Sequence, residues 1–510
     1  MSNTKSKAEL PGTERPGTER PGTEESGGVT PGYAWIILIV VFLASVVISM
    51  FWFSFPPLAG NIADNYDLFI QAGKEAGRLG ALAHEAEMAG NFTAAQNYGE
   101  QAAAAGSIFG DLSWAMTSIS ITALIAAVPA AALMRRFGVK RILIAGMVFG
   151  LIGSVWSALS GTDYWTLVAA RAVGGFGIGF IAVTATTAVS VWFSRTRRGF
   201  AMAIWSIWVP VSALIVYNVA TPLTPPIQLP APVQTGPDQF TDVVAGMPHT
   251  VWWLTSVLLA IMIVVLIIFY RMPRGNEVTD VDAAQHGKLK DSLRFLLTRQ
   301  FICLIIVFLI FTAINHCFTT FNPTFFKAPP DESILFAGGL GMDEGLANLV
   351  SSITTSFGLL APLFGVLLDR LHIKSKYVLL TCGAIALLGI AVFGFKQSVL
   401  GIPSFGIYVA FHVFANGILV ACCRPLAPLF VSKGGIAAVS FGLALLTVCE
   451  FGGTLSATPF GYFVDMLNGN FGLGVLYACV PLGIIGVIAA FFTKPDRKML
   501  TDMKPGEPTH

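Results

Sequence analysis

The feature that most constrains the fold is a series of twelve apolar runs along the chain. A membrane-spanning helix needs roughly 20 consecutive, mostly apolar residues. Of the 510 residues, 54% are hydrophobic and 12% charged, about half the charged fraction usual in soluble domains. The chain is therefore predicted to be an all-α integral membrane protein with twelve spans. In chain order, spans 1 to 12 are 33–57, 110–134, 141–160, 164–192, 199–220, 250–271, 300–326, 346–368, 377–396, 404–430, 436–463 and 471–493.

Lysine and arginine are concentrated on one side of the predicted membrane. With the amino terminus placed in the cytoplasm, 25 of the 31 basic residues fall in segments predicted inside and four in segments predicted outside, while Arg171 and Arg424 lie within spans. Cytoplasmic loops carry an excess of positive residues. Both termini are thus predicted to be cytoplasmic, in a multi-pass protein of the inner or plasma membrane, surrounded by lipid.

The polar segments between the spans divide the chain into two bundles of six. The connection 58–109, after span 1, is rich in Ala, Glu and Gln and predicts a helical insertion on the outer face. The other predicted parts are a disordered cytoplasmic tail over 1–32, an N-terminal bundle over 33–271, a cytoplasmic linker over 272–299, a C-terminal bundle over 300–493 and a tail over 494–510.

Several functional classes are disfavoured by composition and motifs. The seven cysteines fall in apolar segments without CxxC spacing, which predicts small core residues. A net charge of +2 gives no basis for nucleic-acid binding. The chain has no Gly-rich nucleotide loop followed by Lys-Ser/Thr, which disfavours an ATP-driven pump. We expect a monomer with no enzymatic activity, no metal and no cofactor.

Two charged stretches reveal an internal duplication. "AALMRRFGVK" at 131–140 and "GVLLDRLHIK" at 365–374 each follow the second span of their half. Parallel repeats of this kind build many transporters, with the substrate site between the halves near mid-membrane.

These stretches make the chain similar to the major facilitator superfamily, and the resemblance covers residues 33–493. The family carries a G-x-x-x-D-R-x-G-x-K/R-type loop between helices 2 and 3, with a degenerate copy between helices 8 and 9. The first copy here keeps Arg136, Gly138 and Lys140 but has Arg135 at the position of the family's acid.

The second copy keeps Asp369, Arg370 and Lys374, with His372 at the position of the glycine. In the family the acid pairs with neighbouring helix ends and latches one conformational state. The resemblance therefore implies a conformational latch whose better-preserved copy lies in the C-terminal half. The alternative is that both clusters are positive-inside anchors.

"RAVGGFGIGF" in span 4 also resembles the family, through an R-x-x-x-G-x-G pattern that begins at Arg171. Arg171, Gly175 and Gly179 are spaced i, i+4, i+8 and share one helix face. Small residues on such a face allow close helix contact. Span 5 lacks the Gly-Pro signature of drug/proton antiporters in this family, which disfavours that function.

Ionisable groups inside spans are costly and are functional candidates by default. Glu450, in the middle of span 11, is a candidate proton-coupling group, or a carboxyl neutralised by a structural partner. Arg171 is a candidate for binding an anionic substrate or for locking helices through an ion pair. The family's cavity is built largely from helices 1, 4, 7 and 10, which adds Asn315, His316, His412 and Asn416 as substrate or proton candidates.

The sequence thus predicts a secondary transporter that works by alternating access between its two halves. The predicted substrate is a small polar metabolite, an organic anion in the first instance, with a proton as the candidate coupling ion in symport. Two alternatives stay open. One is efflux of amphipathic compounds, and the other is a transporter-like receptor or assembly factor that docks through 58–109.

Overall fold

The computed structural model describes most of the membrane part of the chain. The described residues are 32–193, 195–225, 227–236, 239–244, 246–272, 296–328, 340–356, 375–393 and 435–493, with the single positions 359, 398, 399, 402, 403, 415, 419 and 423. The predicted tails, most of the linker, the later part of span 8 and nearly all of span 10 lie outside this set.

Helices occupy the predicted spans wherever the chain is described. Spans 1 to 6 are Tyr33–Phe53 with Phe55–Asn65, Phe109–Phe137, Val139–Ala158, Tyr164–Trp192, Arg195–Ser206 with Trp208–Leu223, and His249–Phe269. Spans 7, 8, 9, 11 and 12 are Arg299–Lys327, Glu344–Ser356, Ser375–Phe393, Gly435–Thr454 with Ala457–Met466, and Phe471–Phe492. Within the described residues, eight helical segments are long and apolar enough to cross a membrane.

The predicted insertion is helical. Its helices, Asp67–Met88 and Phe92–Gly106, are joined by a turn in which Gly90 has φ +75°. At its base the Tyr66 hydroxyl is hydrogen-bonded to Ser160 Oγ at 3.1 Å, and burial raises the pKa of Tyr66 to about 12, so the hydroxyl stays neutral at physiological pH. We call residues 66–106 the insertion hairpin, the end of the bundle that carries it the insertion face, and the opposite end the linker face.

The Pro-rich connection 221–249 contains a β-hairpin. Strands Ile227–Gly236 and Gln239–Val244 pair antiparallel, with irregular register near Gln228 and Gln234. The membrane part of the described chain is all-α, and this β-hairpin lies outside it.

Spans 2 and 4 run parallel and pack closely through the predicted small-residue face. A Cβ at Gly175 would collide with the carbonyl oxygen of Ile119, and one at Gly179 with that of Ala123. The contacts advance by four residues on both helices, so one face of span 4 follows one face of span 2. The predicted close-packing role of this face is confirmed.

On the linker face, spans 2 and 3 are joined through a single residue. Gly138 has φ +83° and ψ 156°, a region that residues with a Cβ rarely adopt. Two positions on, Lys140 Nζ donates to the carbonyl oxygen of Ile267 at 2.7 Å, in the last turn of span 6, where carbonyls lack helical partners. Arg136 lies over the ring of Phe137 at 5.3 Å.

Candidate functional site

Span 1 is interrupted where it crosses from Phe53 to Phe55, and the interruption has a sequence cause. Pro56 has no backbone N–H, so the carbonyl oxygen of Trp52 loses the helical bond that position 56 would supply. Arg171 of span 4 replaces that donor, with Nη2 to Trp52 O at 2.9 Å. Its Nη1 donates to Ser54 Oγ at 3.2 Å.

The remaining contacts of the Arg171 guanidinium connect span 1 to span 2. Arg171 Nε donates to the carbonyl oxygen of Ala115 at 2.6 Å, and the cation lies 5.2 Å from the ring centre of Phe51 and 5.7 Å from that of Phe55. The side chain is fully buried and forms no ion pair within the described residues. Of the two predicted roles, this geometry favours helix locking, with carbonyl oxygens and aromatic faces in place of an acid.

A polar stripe follows span 7. Thr312, His316 and Thr320 are spaced i, i+4, i+8, so they share one helix face, and all three are buried. Thr312 Oγ1, His316 Nδ1 and Thr320 Oγ1 each lack a hydrogen-bond partner among the described residues. Buried polar atoms are normally paired, so these three atoms have a hydrogen-bonding capacity that the described residues do not use.

The stripe meets span 1 and span 11 at its middle. The Trp52 ring stacks on His316, with centroids 6.2 Å apart and planes 24° apart, and it also contacts Phe451, with centroids 5.6 Å apart. Trp52 Nε1 is likewise buried without a described partner. This cluster of Trp52, His316 and Phe451 brings both halves of the molecule together.

The other predicted candidates are placed as follows. Glu450 is half-buried and directly precedes Phe451 on span 11. Asn315 is half-buried and lies one residue, about 100° of helix rotation, from His316. His412, Asn416, Asp369, Arg370 and Lys374 lie outside the described residues, as does the side chain of Arg135.

On the insertion face the halves are joined by hydrogen bonds between spans 5 and 8. Asn218 Nδ2 donates to Ser352 Oγ at 3.0 Å, and Asn348 Nδ2 donates to Thr221 Oγ1 at 2.8 Å. The Tyr217 hydroxyl also donates, at 3.2 Å, to a backbone carbonyl of span 7. These hydrogen bonds connect span 5 of the N-terminal half to spans 7 and 8 of the C-terminal half on the insertion face.

Spans 2 and 11 close the same face. Thr458 Oγ1 accepts from Ser113 Oγ at 2.8 Å and donates to Thr117 Oγ1 at 2.7 Å. The Tyr462 hydroxyl donates to Asp111 Oδ1 at 2.6 Å. Among the described residues, spans 2 and 5 of one half are therefore joined to spans 11 and 8 of the other on the insertion face, which is closed there.

Sequence reasoning missed Trp52, Thr312 and Thr320. Thr312 and Thr320 flank His316 at helical spacing, which was the one available signal for the stripe. Trp52 sits in the run Phe51–Trp52–Phe53, which is typical of interfacial anchors, yet Trp52 is 2% exposed and lies between the halves. Its burial follows from the continuation of the helix to Asn65, beyond the end of span 1 predicted at residue 57.

Comparison with known proteins supports this architecture. The profile of the Major Facilitator Superfamily matches residues 37–442. A comparison with curated protein sequences gave no significant match.

Solved structures share the fold at low sequence identity. A bacterial homologue of the human lysosomal transporter Spinster, solved inward-facing and unoccupied, is 14% identical with a TM-score of 0.62, over 94% of this chain and 100% of that one. A D-xylose–proton symporter is 16% identical with a TM-score of 0.60, over 91% and 97%. A variant of the nucleoside transporter NupG is 14% identical with a TM-score of 0.56, over 89% and 98%.

Proposed function

The chain belongs to the major facilitator superfamily, and from this premise we propose that it carries a small polar metabolite across the cytoplasmic membrane by alternating access. Family membership makes it a multi-pass membrane transporter rather than an enzyme. The proposal adds the chemistry of the substrate, its path between the halves and a coupling ion.

The polar stripe of span 7 carries the proposal. Thr312, His316 and Thr320 are buried, and each has a polar atom without a partner among the described residues. His316 meets Trp52 of the other half, and the Trp52 indole N–H likewise has no partner there. An indole N–H can only donate, while hydroxyls and imidazole both donate and accept. Such a lining suits a substrate rich in acceptor oxygens, of which an organic anion is the first candidate.

The aromatic neighbours of this stripe set the shape of the proposed site. Trp52 and Phe451 offer flat apolar walls, and binding sites commonly combine such walls with a few placed polar groups. Because Arg171 is buried and its three nitrogens donate to protein oxygens, an anionic substrate would be met by hydrogen-bond donors, namely the His316 imidazole, the threonine hydroxyls and the Trp52 indole. Arg171 holds span 1 in place behind them.

Glu450 is the proposed proton-coupling group. It is half-buried and directly precedes Phe451, whose ring contacts Trp52 of the other half. An ionisable group inside a membrane span is a functional candidate by default. In this proposal the protein is a monomer with both termini cytoplasmic, and its insertion face looks out of the cell.

Transport in proteoliposomes tests the proposal. A panel of radiolabelled carboxylates and other polar metabolites is expected to yield at least one substrate that competes with its unlabelled form. His316→Ala should abolish that uptake, and Glu450→Gln should remove its dependence on a proton gradient. Cys317→Ala is the matched control, since Cys317 is the next residue of span 7 but contacts Ser456 of span 11.

The opposite results would sink the assignment. Normal uptake in both His316→Ala and Glu450→Gln would exclude this path. If lipophilic cations compete with uptake of the labelled substrate, efflux of amphipathic compounds becomes the favoured function instead of metabolite transport. A protein with no flux of any probe, whose cellular role is lost when the insertion hairpin is deleted, would be a receptor or assembly factor.

A further inference from the structure

Asp465, at the end of span 11, binds the beginning of span 2 in the other half of the molecule. Its Oδ1 accepts from Ser107 Oγ at 2.6 Å and from the backbone N–H of Phe109 at 2.9 Å. Its Oδ2 accepts from the backbone N–H of Gly110 at 2.6 Å. The first N–H groups of a helix have no partner within the helix, so Asp465 caps span 2 from the opposite half.

Span 2 has no cap of its own. The residue before its helix is Ile108, whose side chain cannot accept a hydrogen bond. Elsewhere the chain uses local caps: Asp163 accepts from Trp165 N at the start of span 4, and Asn470 accepts from Leu473 N at the start of span 12. Only for span 2, among these three, does the cap come from the other half.

We propose that Asp465 is the latch that holds the insertion face closed. Its three partners are all donors, so an ionised carboxylate, which only accepts, fits all of them at once. The negative charge also lies at the positive end of the helix dipole. Opening the insertion face separates spans 2 and 11 and must break three charge-assisted hydrogen bonds together.

The packing around the latch favours the same role. Gly461 lies so close to span 2 that an added Cβ would be 2.7 Å from the carbonyl oxygen of Phe109, and a Cβ at Gly110 would collide with the Tyr462 ring. The charged and titratable groups beside Asp465 on these two helices are Asp111 and Tyr462, which bind each other. Neither competes for the amide donors that Asp465 occupies.

The latch lies at the end of span 2 opposite to the duplicated motif. The linker end of span 2 has Arg135 where an acid would be expected from the resemblance, while the opposite end of the same span is held by an acid supplied from span 11. This inference rests on the proposed alternating access, but its test requires no substrate.

Hydrogen–deuterium exchange of the purified full chain in lipid nanodiscs tests the latch directly, because the amides of Phe109 and Gly110 are the groups that it binds. Asp465→Ala should speed their exchange by at least about ten-fold, the scale of one lost charge-assisted hydrogen bond. Asp465→Asn keeps one acceptor oxygen and should give a smaller increase. Exchange should also rise in spans 5 and 8, where the same face opens.

Asp163→Ala is the matched control, since it removes an acid that caps a helix within one half. It should speed exchange at residues 164–166 and leave Phe109 and Gly110 protected. Unchanged protection of those two amides in both Asp465 variants would overturn the latch. So would an equal loss of protection in Asp163→Ala, since that would show general loosening. Failure of all transport assays with the exchange result intact would sink the proposed substrate path and leave the latch standing.

Discussion

Arg171 Nη2 donates to the carbonyl oxygen of Trp52 at 2.9 Å, and that oxygen is the one that Pro56 leaves without a helical donor. The proline in span 1 and the arginine in span 4 therefore form one structural arrangement, in which the arginine donates to the carbonyl that the proline leaves without a partner. A cation within a membrane span here supplies the hydrogen bond that is missing at a helix break. The same bond holds Trp52 at the interface between the halves.

Arg171→Lys is expected to destabilise the protein by about 2–4 kcal/mol, because a single ammonium cannot reach three acceptors on spans 1 and 2. The expected observation is a fall of several degrees in the thermal unfolding midpoint in detergent. Pro56→Ala in the Arg171→Lys background should restore part of the loss, since an alanine at that position brings an N–H to the Trp52 carbonyl.

Pro57→Ala is the control for this rescue, because its N–H would serve Phe53 instead. Equal rescue by Pro56→Ala and Pro57→Ala would contradict the pairing, as would an unfolding midpoint unaffected by Arg171→Lys.

Gly138→Ala is expected to cost about 1–3 kcal/mol, the usual penalty of a strained backbone, since φ there is +83°. Gly73→Ala provides the comparison: this glycine lies within an insertion-hairpin helix with nothing within 4 Å of an added Cβ. Alanine at position 73 should stabilise by about 0.5–1 kcal/mol. Thermal unfolding of both variants checks the opposite signs, and a stable Gly138→Ala would rule out the strained turn.

Trp52→Phe should weaken substrate binding while leaving the fold intact, because it keeps the ring on His316 but deletes the indole N–H, which has no partner among the described residues. We expect KM for uptake to rise about ten-fold, the value of one hydrogen bond to a polar or charged group. Trp205→Phe is the matched control, since the Trp205 indole donates to Ser45 Oγ within the N-terminal half. Equal KM values in wild type and Trp52→Phe would remove this donor from the proposed site.

Gly110→Leu should wedge the insertion face open, because its side chain would occupy the space of the Tyr462 ring. A cysteine at Thr320 should then react with a membrane-impermeant maleimide added on the insertion side, while the same cysteine with Gly110 intact should stay protected. Gly77→Leu, on the insertion hairpin with open space around it, should leave the protection unchanged. Labelling that is equal with and without Gly110→Leu would show that spans 2 and 11 do not guard the stripe.

Asp369→Asn is expected to slow conformational cycling more than any single substitution at 135–141. The reason is the motif itself, since only the second copy retains an acid. Exchange between the open and closed states, followed by single-molecule fluorescence, measures the rate. A larger effect from Arg136→Ala would reverse the assignment of the stronger latch to the C-terminal half.

Much of the helical architecture follows from sequence patterns that act locally. Apolar length predicted the spans, and the four-residue spacing of Arg171, Gly175 and Gly179 predicted which face of span 4 packs closely. The partner of that face, on span 2, is a matter of tertiary packing that spacing on one helix does not determine.

The parts that could not be predicted are those made by distant residues. Asp465 and Phe109 are 356 positions apart, and an acid just beyond the end of a span is common in membrane-protein sequences. The sequence identified Arg171 as a costly charge inside a span and suggested an acid or a substrate as its partner. Its partners in the structure are a serine hydroxyl and two carbonyl oxygens. One of those carbonyls lacks a helical donor because of a proline. Only the fold brings these groups within hydrogen-bonding distance.

We propose that the two halves open and close around the span 7 stripe, with the insertion face closed in the structure described here. Pulsed double electron–electron resonance between spin labels at Leu159 and Leu346, both exposed and in opposite halves, tests it most directly in a variant without native cysteines. We expect one short distance in the parent and a second, longer one that gains population in Asp465→Ala and Gly110→Leu. A single distance, the same in all three proteins, would contradict it.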